Sequence, residues 1–238
     1  AVASGALAVL ASRPLEVPCI VVDDTVAALG RLAQSVRARL ECTVIAITGS
    51  SGKTSTKDLL AEVLGAIGPT VAPQGSFNTE VGVPMTVCRA QPTTEFLILE
   101  MGMRGLGHIH YLCQVAQPDI GVILNIGSAH LGMVGSREGI AQAKGEILDL
   151  LPPDGTAVVL GDDPIVLAQA GRTAATLVTF GRSPSCDVRA TDVRLDEQAR
   201  PAFTLGYRGC EAAVRLRLHG EHFVANALAV AAVALTVG

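Results

Sequence analysis

The sequence predicts an α/β fold: a P-loop-type, mostly parallel sheet flanked by helices, with a small antiparallel β portion near the C-terminus. Apolar, β-branched runs of strand length alternate with segments of helical period up to about residue 181. A Gly/Ser-rich turn joins the first clear strand to the first clear helix. After residue 185, short runs alternate apolar and polar residues, as half-exposed antiparallel strands do.

The elements follow in chain order. "VPCIVVDD" and "TVAALGRLAQSVRARL" predict a strand and a helix that lead into the core. The predicted strands of the parallel core are 42–48, 95–101, 119–126, 155–161 and 175–181. The predicted helices of the core are 53–68, 107–117, 137–151 and 164–171.

The C-terminal part adds strands and one helix. "CDVRATDVRLDE", "PAFTLGY" and "EAAVRLRLHG" predict antiparallel strands, either in a mixed sheet with the core or in a separate small β layer. "FVANALAVAAVALTVG" predicts a buried helix, because it is shorter than the roughly 20 residues of a membrane span and contains Asn226.

Composition excludes several classes of protein. The 238 residues are 49% hydrophobic, which is ample for a sizeable core. A formal net charge of −4 argues against a nucleic-acid surface, which needs clustered Lys and Arg. The six cysteines form no CxxC pair, so we interpret them as buried thiols of a reducing, cytoplasmic compartment. No basic segment precedes "AVASGALAVL", which argues against a signal peptide.

The stretch "TGSSGKT", residues 48–54, predicts a phosphate cradle. Its glycines let successive backbone N–H groups point at an anion, and the following helix N-terminus adds partial positive charge. Lys53 would reach the β- and γ-phosphates and the Thr54 hydroxyl would bind magnesium. The general motif has a further glycine where this chain has Ile47, and the alternative is a plain Gly/Ser turn. No NKxD or LSGGQ-like motif occurs, which argues against a GTPase or an ABC transporter.

Polar residues follow the next strands. Glu100 ends an apolar strand, where ligands bind in open α/β sheets, and a carboxylate there can hold magnesium. Asn125 and His130 follow another strand, and Lys144 lies on a helix. Taken singly, each has an ordinary interpretation: a carboxylate facing solvent, an exposed histidine, a solvated lysine.

In combination these residues are more specific. The series TGSSGKT, SFNTEVGVP, LEMG, NIGSAHLGMVGS, AKGEI and GEHFVANALA resembles, in order and spacing, the central ATP-binding domain of the Mur ligases. The resemblance runs from about residue 17 to the end, and LEMGMRGLG and HLGMVGSREGIAQAKGEI are its most discriminating parts. Folylpolyglutamate synthases share the cradle but differ in the later motifs.

The resemblance implies a domain organisation. Residues 1–24 would be the tail of an N-terminal UDP-sugar-binding domain, and 25–238 the central ATP-binding domain. The C-terminal domain of the family would be absent from this chain. The missing initial methionine and the apolar end also lead us to expect a segment of a longer protein.

The resemblance also implies an activity. Within the family the chain looks most like the members that join D-alanyl-D-alanine to UDP-N-acetylmuramoyl-tripeptide in peptidoglycan synthesis. Such a ligase is ADP-forming: the γ-phosphoryl group of ATP activates a carboxylate as an acyl phosphate, and an amine then displaces phosphate. We therefore expect ATP and two Mg²⁺ ions as cofactors, these two substrates as partners, and a monomer without nucleic-acid binding or membrane insertion.

By motif match, the triphosphate would be bound by six residues: Gly49, Ser50, Ser51, Gly52, Lys53 and Thr54. Thr54 and Glu100 would bind the first magnesium and His130 the second. Lys144 matches a lysine that carries a carbamate, an anion able to bind metal. Lys53, His130 and Lys144 would be the catalytic residues.

Two further sites follow from the motifs. Asn78 and Thr79 match a segment facing the UDP-sugar substrate, although a turn before a helix explains them equally well. Asn226 matches an asparagine that hydrogen-bonds adenine. Family members commonly have asparagine or glutamine where this chain has Phe223, which weakens the adenine assignment.

Two alternatives stay open at this point. The chain could come from another amide ligase of the group, such as the meso-diaminopimelate-adding type, because amine specificity lies mainly in the C-terminal domain. It could also be a nucleotide-binding switch without ligase chemistry. Convergence of Glu100, His130 and Lys144 on Lys53 would favour a ligase.

Overall fold

The computed structural model describes residues 2–127 and 136–238. The strands are β1 (Val9–Ala11), β2 (Cys19–Val21), β3 (Thr43–Thr48), β4 (Thr70–Val71), β5 (Phe96–Glu100), β6 (Ile120–Ile123), β7 (Thr156–Leu160), β8 (Thr176–Gly181), β9 (Val188–Leu195), β10 (Pro201–Tyr207) and β11 (Cys210–Arg215). The α-helices are α1 (Thr25–Arg37), α2 (Lys53–Gly65), α3 (Gly82–Val87), α4 (His108–Ala116), α5 (Arg137–Gly145), α6 (Pro164–Leu167) and α7 (Phe223–Val237).

Nine strands form one mixed sheet in the order β11-β10-β9-β8-β7-β6-β3-β5-β4. From β4 to β9 neighbouring strands are parallel, and β9, β10 and β11 are antiparallel. The last parallel pairing joins Phe180 to Val188 and Gly181 to Arg189. The C-terminal strands therefore extend the parallel sheet. Of the two predicted alternatives, the structure has the mixed sheet and not a separate β layer.

Helices cover both faces of the sheet, so its central strand is apolar on both sides. In β3, Val44 and Ala46 belong to one buried cluster, together with residues of α1 and α4. Ile45 and Ile47 belong to a second cluster, together with residues of α2 and α7. This alternation follows from the two-residue period of a strand, and it explains why β3 reads as a continuous apolar run.

The predicted α/β fold is confirmed, with differences at element ends. The predicted helix 137–151 is α5 followed by a 3₁₀ turn at Glu146–Leu148, and 164–171 is α6 followed by the 3₁₀ turn Ala168–Arg172. The predicted strand 119–126 stops at Ile123, because the Asn125 backbone and side chain bond to the cradle instead of a ladder. The sequence did not predict three short elements: β1, β4 and α3.

The C-terminal helix is confirmed, but the prediction of buried cysteines holds for only three of the six. The α7 residues Leu228, Ala229 and Val233 are buried in the second cluster. Within residues 2–127 and 136–238, no helix combines the length and apolar character that crossing a bilayer requires. All six cysteines are free. Cys42, Cys113 and Cys186 are buried, Cys19 and Cys88 are half-buried, and Cys210 is exposed because it begins the edge strand β11.

The N-terminal segment forms its own small sheet. Strands β1 and β2 pair in parallel with each other and stay outside the nine-stranded sheet. Leu7, which precedes β1, and Ile20 and Val21 of β2 are exposed apolar residues. Helix α1 then starts at the predicted boundary, where the Asp24 carboxylate accepts hydrogen bonds from the first backbone N–H groups of the helix. The assignment of 1–24 to another domain stays a prediction.

Candidate active site

The cradle lies between the end of β3 and the start of α2, at the carboxyl edge of the sheet. Gly52 has a φ of 79°, a left-handed conformation that favours glycine, and a Cβ there would lie 2.7 Å from Asn226 Oδ1. A Cβ on Gly49 would lie 2.9 Å from the Cβ of Leu124. Gly52 is therefore required by its backbone conformation and by a close contact, and Gly49 by a close contact alone.

Asn125 holds the cradle, a role that the sequence did not reveal. Its side-chain Oδ1 accepts hydrogen bonds of 3.0 Å from the backbone N–H groups of both Ser50 and Ser51. Its Nδ2 donates to the Ser51 carbonyl at 3.1 Å. One amide side chain thus fixes two successive peptide units of the loop, and the only signal in the sequence was its place after a strand.

The helix start leaves donors for an anion. Gly52 is the N-cap of α2 and makes no side-chain capping bond. The first four N–H groups of a helix lack intrahelical acceptors, and those of α2 lie at the positive end of its helix dipole. Because Asn125 already engages the N–H groups of Ser50 and Ser51, a phosphate would meet those of Gly52, Lys53 and Thr54 first.

Lys53 brings its charge to the mouth of the cradle. Its Nζ donates a hydrogen bond of 2.8 Å to the carbonyl of Gly49. Burial lowers the pKa of the Lys53 ammonium, and the nearby Glu100 carboxylate acts in the opposite direction. The side chain therefore lies between the loop and Glu100, within reach of both.

Glu100 is a buried carboxylate with two polar partners. Oε2 accepts a 2.8 Å hydrogen bond from the Thr54 hydroxyl, and Oε1 accepts a 2.7 Å hydrogen bond from the Asn78 amide. The adjacent hydroxyl and carboxylate oxygens fit a magnesium ion, which typically takes one or two protein oxygens along with phosphates and water. The described residues contain no group of three His, Cys, Asp or Glu side chains placed to hold a metal.

Lys144 is buried beside the cradle. The residue is only 1% exposed, and burial together with the Lys53 charge lowers the pKa of its ammonium to about 8. Among the ion pairs of residues 2–127 and 136–238, none includes Lys144. The predicted residues Lys53, Thr54, Glu100 and Lys144 are thus brought together, and His130 lies outside the described residues.

Glu146, two positions after Lys144, fixes the neighbouring helix. The side chain is almost buried, and its two oxygens accept hydrogen bonds from Gly107 N at 2.6 Å and His110 N at 3.0 Å. These N–H groups belong to the first turn of α4, whose N-cap Gly107 has no side chain to cap the helix. Glu146 therefore ties α5, which carries Lys144, to the loop that leads into α4.

A cavity of about 280 Å³ lies beside Lys53, and its walls include both Asn78 and Thr79. Thr79 also begins a helix, because its hydroxyl accepts long bonds from the N–H groups of Val81 and Gly82 at the start of α3. Asn78 also fixes a loop, since its carbonyl accepts from Gly102 N at 2.8 Å. The two interpretations of this segment are therefore compatible.

Asn226 lies on the other side of the cradle. It is buried on α7, and its side chain faces Gly52. A cavity of about 220 Å³ is lined by the Asn226 neighbours Ala225 and Leu228, together with residues that include Asp162, Arg182 and His222. Phe223, which replaces a polar residue of the family pattern, packs its ring against His222 at 4.4 Å between centroids.

This arrangement agrees with a comparison to known proteins. A model of the Mur ligase middle domain matches residues 47–234. The chain belongs to the Mur ligase family. A Mur ligase of Mycobacterium tuberculosis, a UDP-N-acetylmuramoyl-tripeptide–D-alanyl-D-alanine ligase, is 50% identical over 262 residues, covering 100% of this chain and 51% of the relative. The chain thus spans about half the length of the curated relatives it matches.

Solved Mur ligase structures have the same fold. The UDP-N-acetylmuramoylalanyl-D-glutamyl-2,6-diaminopimelate–D-alanyl-D-alanyl ligase of Acinetobacter baumannii superposes with a TM-score of 0.87 at 36% identity, over 95% of this chain and 50% of that one. MurF ligase of Thermotoga maritima in complex with ADP gives a TM-score of 0.87 at 31% identity, over 100% of this chain and 56% of that one.

Proposed function

We propose that the full-length protein containing this chain is an ATP-dependent, ADP-forming ligase that adds D-alanyl-D-alanine to UDP-N-acetylmuramoyl-tripeptide. The observation that carries the proposal is the meeting of Lys53, Thr54, Glu100 and Lys144 around one phosphate cradle. The names of similar proteins, MurF among them, support the choice of substrates. Because those proteins are about twice as long, the activity belongs to the whole protein.

In this proposal the cradle binds the triphosphate of ATP. The glycines and the N–H groups at the start of α2 wrap the phosphates, and Lys53 leaves the Gly49 carbonyl to contact the β- and γ-phosphates. Thr54 and Glu100 would hold Mg²⁺, which would neutralise charge on the phosphates. Asn226 and the cavity beside it receive the adenosine end.

Lys144 would act as an anion and not as a cation. A neutral amine adds CO₂ to give a carbamate and release a proton, and burial favours the neutral amine by lowering the lysine pKa to about 8. The carbamate, together with His130, would bind a second Mg²⁺. Such an anion would also relieve the repulsion between Lys144 and Lys53.

The reaction joins a carboxylate to an amine in two displacements. An oxygen of the peptide carboxylate attacks the γ-phosphorus, the bond to ADP breaks, and an acyl phosphate forms. The amine of D-alanyl-D-alanine then attacks the acyl carbon, phosphate leaves, and the amine loses a proton. The chain contributes position and charge: Lys53 stands between the cradle and the cavity that Asn78 and Thr79 line.

The two alternatives differ from this proposal in testable ways. A diaminopimelate-adding ligase would use the same cradle with another amine. A nucleotide-binding switch does not require Glu100 and a buried Lys144 near the cradle lysine, so their convergence favours a ligase. We further propose that the enzyme is cytoplasmic and monomeric. Sedimentation of the full-length protein would check the monomeric state.

The test is phosphate release by the full-length protein with ATP, Mg²⁺, the UDP-muramoyl-tripeptide and D-alanyl-D-alanine, omitting each in turn. We expect release to require all four components. Release with diaminopimelate in place of the dipeptide would keep the ligase and replace the substrate. Release that needs neither peptide would overturn the ligase proposal in favour of the switch.

A further inference from the structure

The cavity beside Lys53 carries a second cation that the proposed reaction does not use. Its walls include Arg104 and His108, which follow β5 in the loop leading to α4. Among the described residues, the carboxylates next to this cavity are already engaged: Glu100 with Thr54 and Asn78, and Glu80 with Arg104 and His108. The cavity lining itself contains two cationic side chains, those of Lys53 and Arg104, and no carboxylate, so an anion that enters it meets the cations directly.

One ion pair holds Arg104 in place and engages a single nitrogen of its guanidinium. Its Nη1 donates to Oε1 of Glu80 at 2.6 Å, while its side chain remains 63% exposed. A guanidinium has five N–H donors arranged as a planar fork. Among the contacts of the described residues, the Arg104 side chain donates only through Nη1. The rest of the fork is free to bind a carboxylate through two parallel hydrogen bonds.

His108 fixes the other oxygen of Glu80. The backbone N–H of Arg104 donates to Nδ1 of His108 at 3.1 Å, so Nδ1 must be the acceptor nitrogen. The ring proton is therefore on Nε2, which donates to Oε2 of Glu80 at 3.1 Å. Glu80 receives a hydrogen bond from its own backbone N–H, and His108 and Arg104 also stabilise its charged form. These contacts hold the pKa of Glu80 below its ordinary value, so the carboxylate stays charged beside Arg104.

The backbone that carries Arg104 is anchored on both sides. Met103 is 3% exposed and packs in the core. Gly102 lies so close to Asn78 that a Cβ would meet Asn78 Oδ1 at 2.9 Å, and Glu146 holds Gly107. An arginine on such a loop is preorganised, which reduces the entropy lost when it binds a ligand.

We propose that Arg104, positioned by Glu80 and His108, binds a carboxylate of the peptide substrate that does not react. This inference rests on the proposed function. A peptide of alanyl, D-glutamyl and diaminopimelate residues carries carboxylates besides the one that is joined. Arg104 suits a non-reacting carboxylate, because a bidentate ion pair would withdraw charge from a carboxylate that must attack phosphorus. The cavity thus selects peptides by their acidic groups.

The test combines a variant with a substrate analogue in the full-length protein. Phosphate release is measured with the natural UDP-muramoyl-tripeptide and with analogues in which one non-reacting peptide carboxylate at a time is a carboxamide. We expect the wild-type kcat/KM to fall about 10–100-fold for one carboxamide, the range of a charge-assisted hydrogen-bonded pair, mainly through KM. In Arg104→Gln this preference should disappear, so that the kcat/KM values for the acid and the amide peptide agree within about threefold.

Controls separate recognition from structure. Arg104→Lys keeps the charge without the fork and should retain part of the preference. Glu80→Gln should weaken it with unchanged affinity for ATP. Arg200→Gln removes another half-exposed arginine ion pair, far along the chain between β9 and β10, and should leave the preference intact.

Two outcomes would overturn this inference and leave the proposed function intact. If Arg104→Gln weakens acid and amide peptides equally, the arginine contacts another part of the substrate, such as a phosphate. If Arg104→Gln leaves KM unchanged, it contacts no substrate. In both cases wild-type turnover stands, whereas absence of turnover with any peptide would instead contradict the proposed function.

Discussion

The phosphate cradle and the cavity lined by Asn78, Thr79 and Arg104 share Lys53 as a wall but are built differently. The cradle is made of backbone: two glycines, the start of α2, and N–H groups held by Asn125. The cavity is lined largely by side chains, among them Arg104, which Glu80 holds in place. A backbone site binds what all nucleotides share, whereas a side-chain site can change its ligand by one substitution. We therefore expect variants of the two regions to affect different substrates.

The largest effect is expected at Lys144, which is buried near the charge of Lys53. Its pKa of about 8 lies below the ordinary 10.5, so the unfolded chain binds more protons between these values and stability rises with pH across that window. Below pH 8 the buried charge costs about 3 kcal/mol. Lys144→Met should abolish ligation yet stabilise the protein at pH 7 in CO₂-depleted buffer, with the gain vanishing above pH 10.5.

Thermal unfolding of wild type and Lys144→Met as a function of pH checks this expectation. Added bicarbonate should stabilise the wild type alone, because only Lys144 can form the carbamate. A difference in stability that does not change with pH would contradict the low pKa. Normal ligation by Lys144→Met would remove the residue from the mechanism.

The next effect is expected from a pair of glycines. Gly52→Ala forces a side chain into a left-handed conformation, at about 1–2 kcal/mol, and against Asn226. We expect nucleotide affinity, measured by calorimetry, to fall at least about 100-fold. Gly105→Ala is the matched control in the cavity loop, because a Cβ there meets nothing within 4 Å. Equal losses in both variants would contradict the division between the regions.

Asn125 offers a smaller and more selective change. Asn125→Ala removes the bonds to Ser50 and Ser51 and should weaken nucleotide binding roughly tenfold while lowering the Tm. Asn125→Asp keeps the acceptor oxygen, so it should preserve more of the Tm but add a negative charge beside the triphosphate. A Tm and an affinity that fall in parallel in both variants would argue against this separation.

The smallest effect is expected at Glu146. Glu146→Gln retains one acceptor for the first turn of α4, and Glu146→Ala retains none. Loss of this cap should reduce stability by about 1–2 kcal/mol in the alanine variant and by less in the glutamine variant. The KM for the peptide should rise while nucleotide affinity stays constant. A change in nucleotide affinity alone would show that Glu146 acts on the cradle.

The same division explains what the sequence could predict. Strand and helix periodicity and the TGSSGKT turn are local patterns, so the sheet and the cradle could be derived from them, and Glu100 followed from its strand end. The remaining contacts join distant positions: Asn125 to Ser50 across 75 residues, Glu146 to Gly107 across 39, and Arg104 to Glu80 across 24. No local pattern marks such pairs. Short elements such as β4 and α3 were missed because two to six residues carry too little periodicity.

The measurement that tests the central claim most directly compares Gly52→Ala and Arg104→Gln in the full-length protein. Binding of a non-hydrolysable ATP analogue with Mg²⁺ and binding of the UDP-muramoyl-tripeptide are titrated separately for each variant. We expect Gly52→Ala to lose the nucleotide and keep the peptide, and Arg104→Gln to do the reverse. Loss of nucleotide affinity in Arg104→Gln comparable to that in Gly52→Ala would contradict the separation of a backbone cradle from a side-chain cavity.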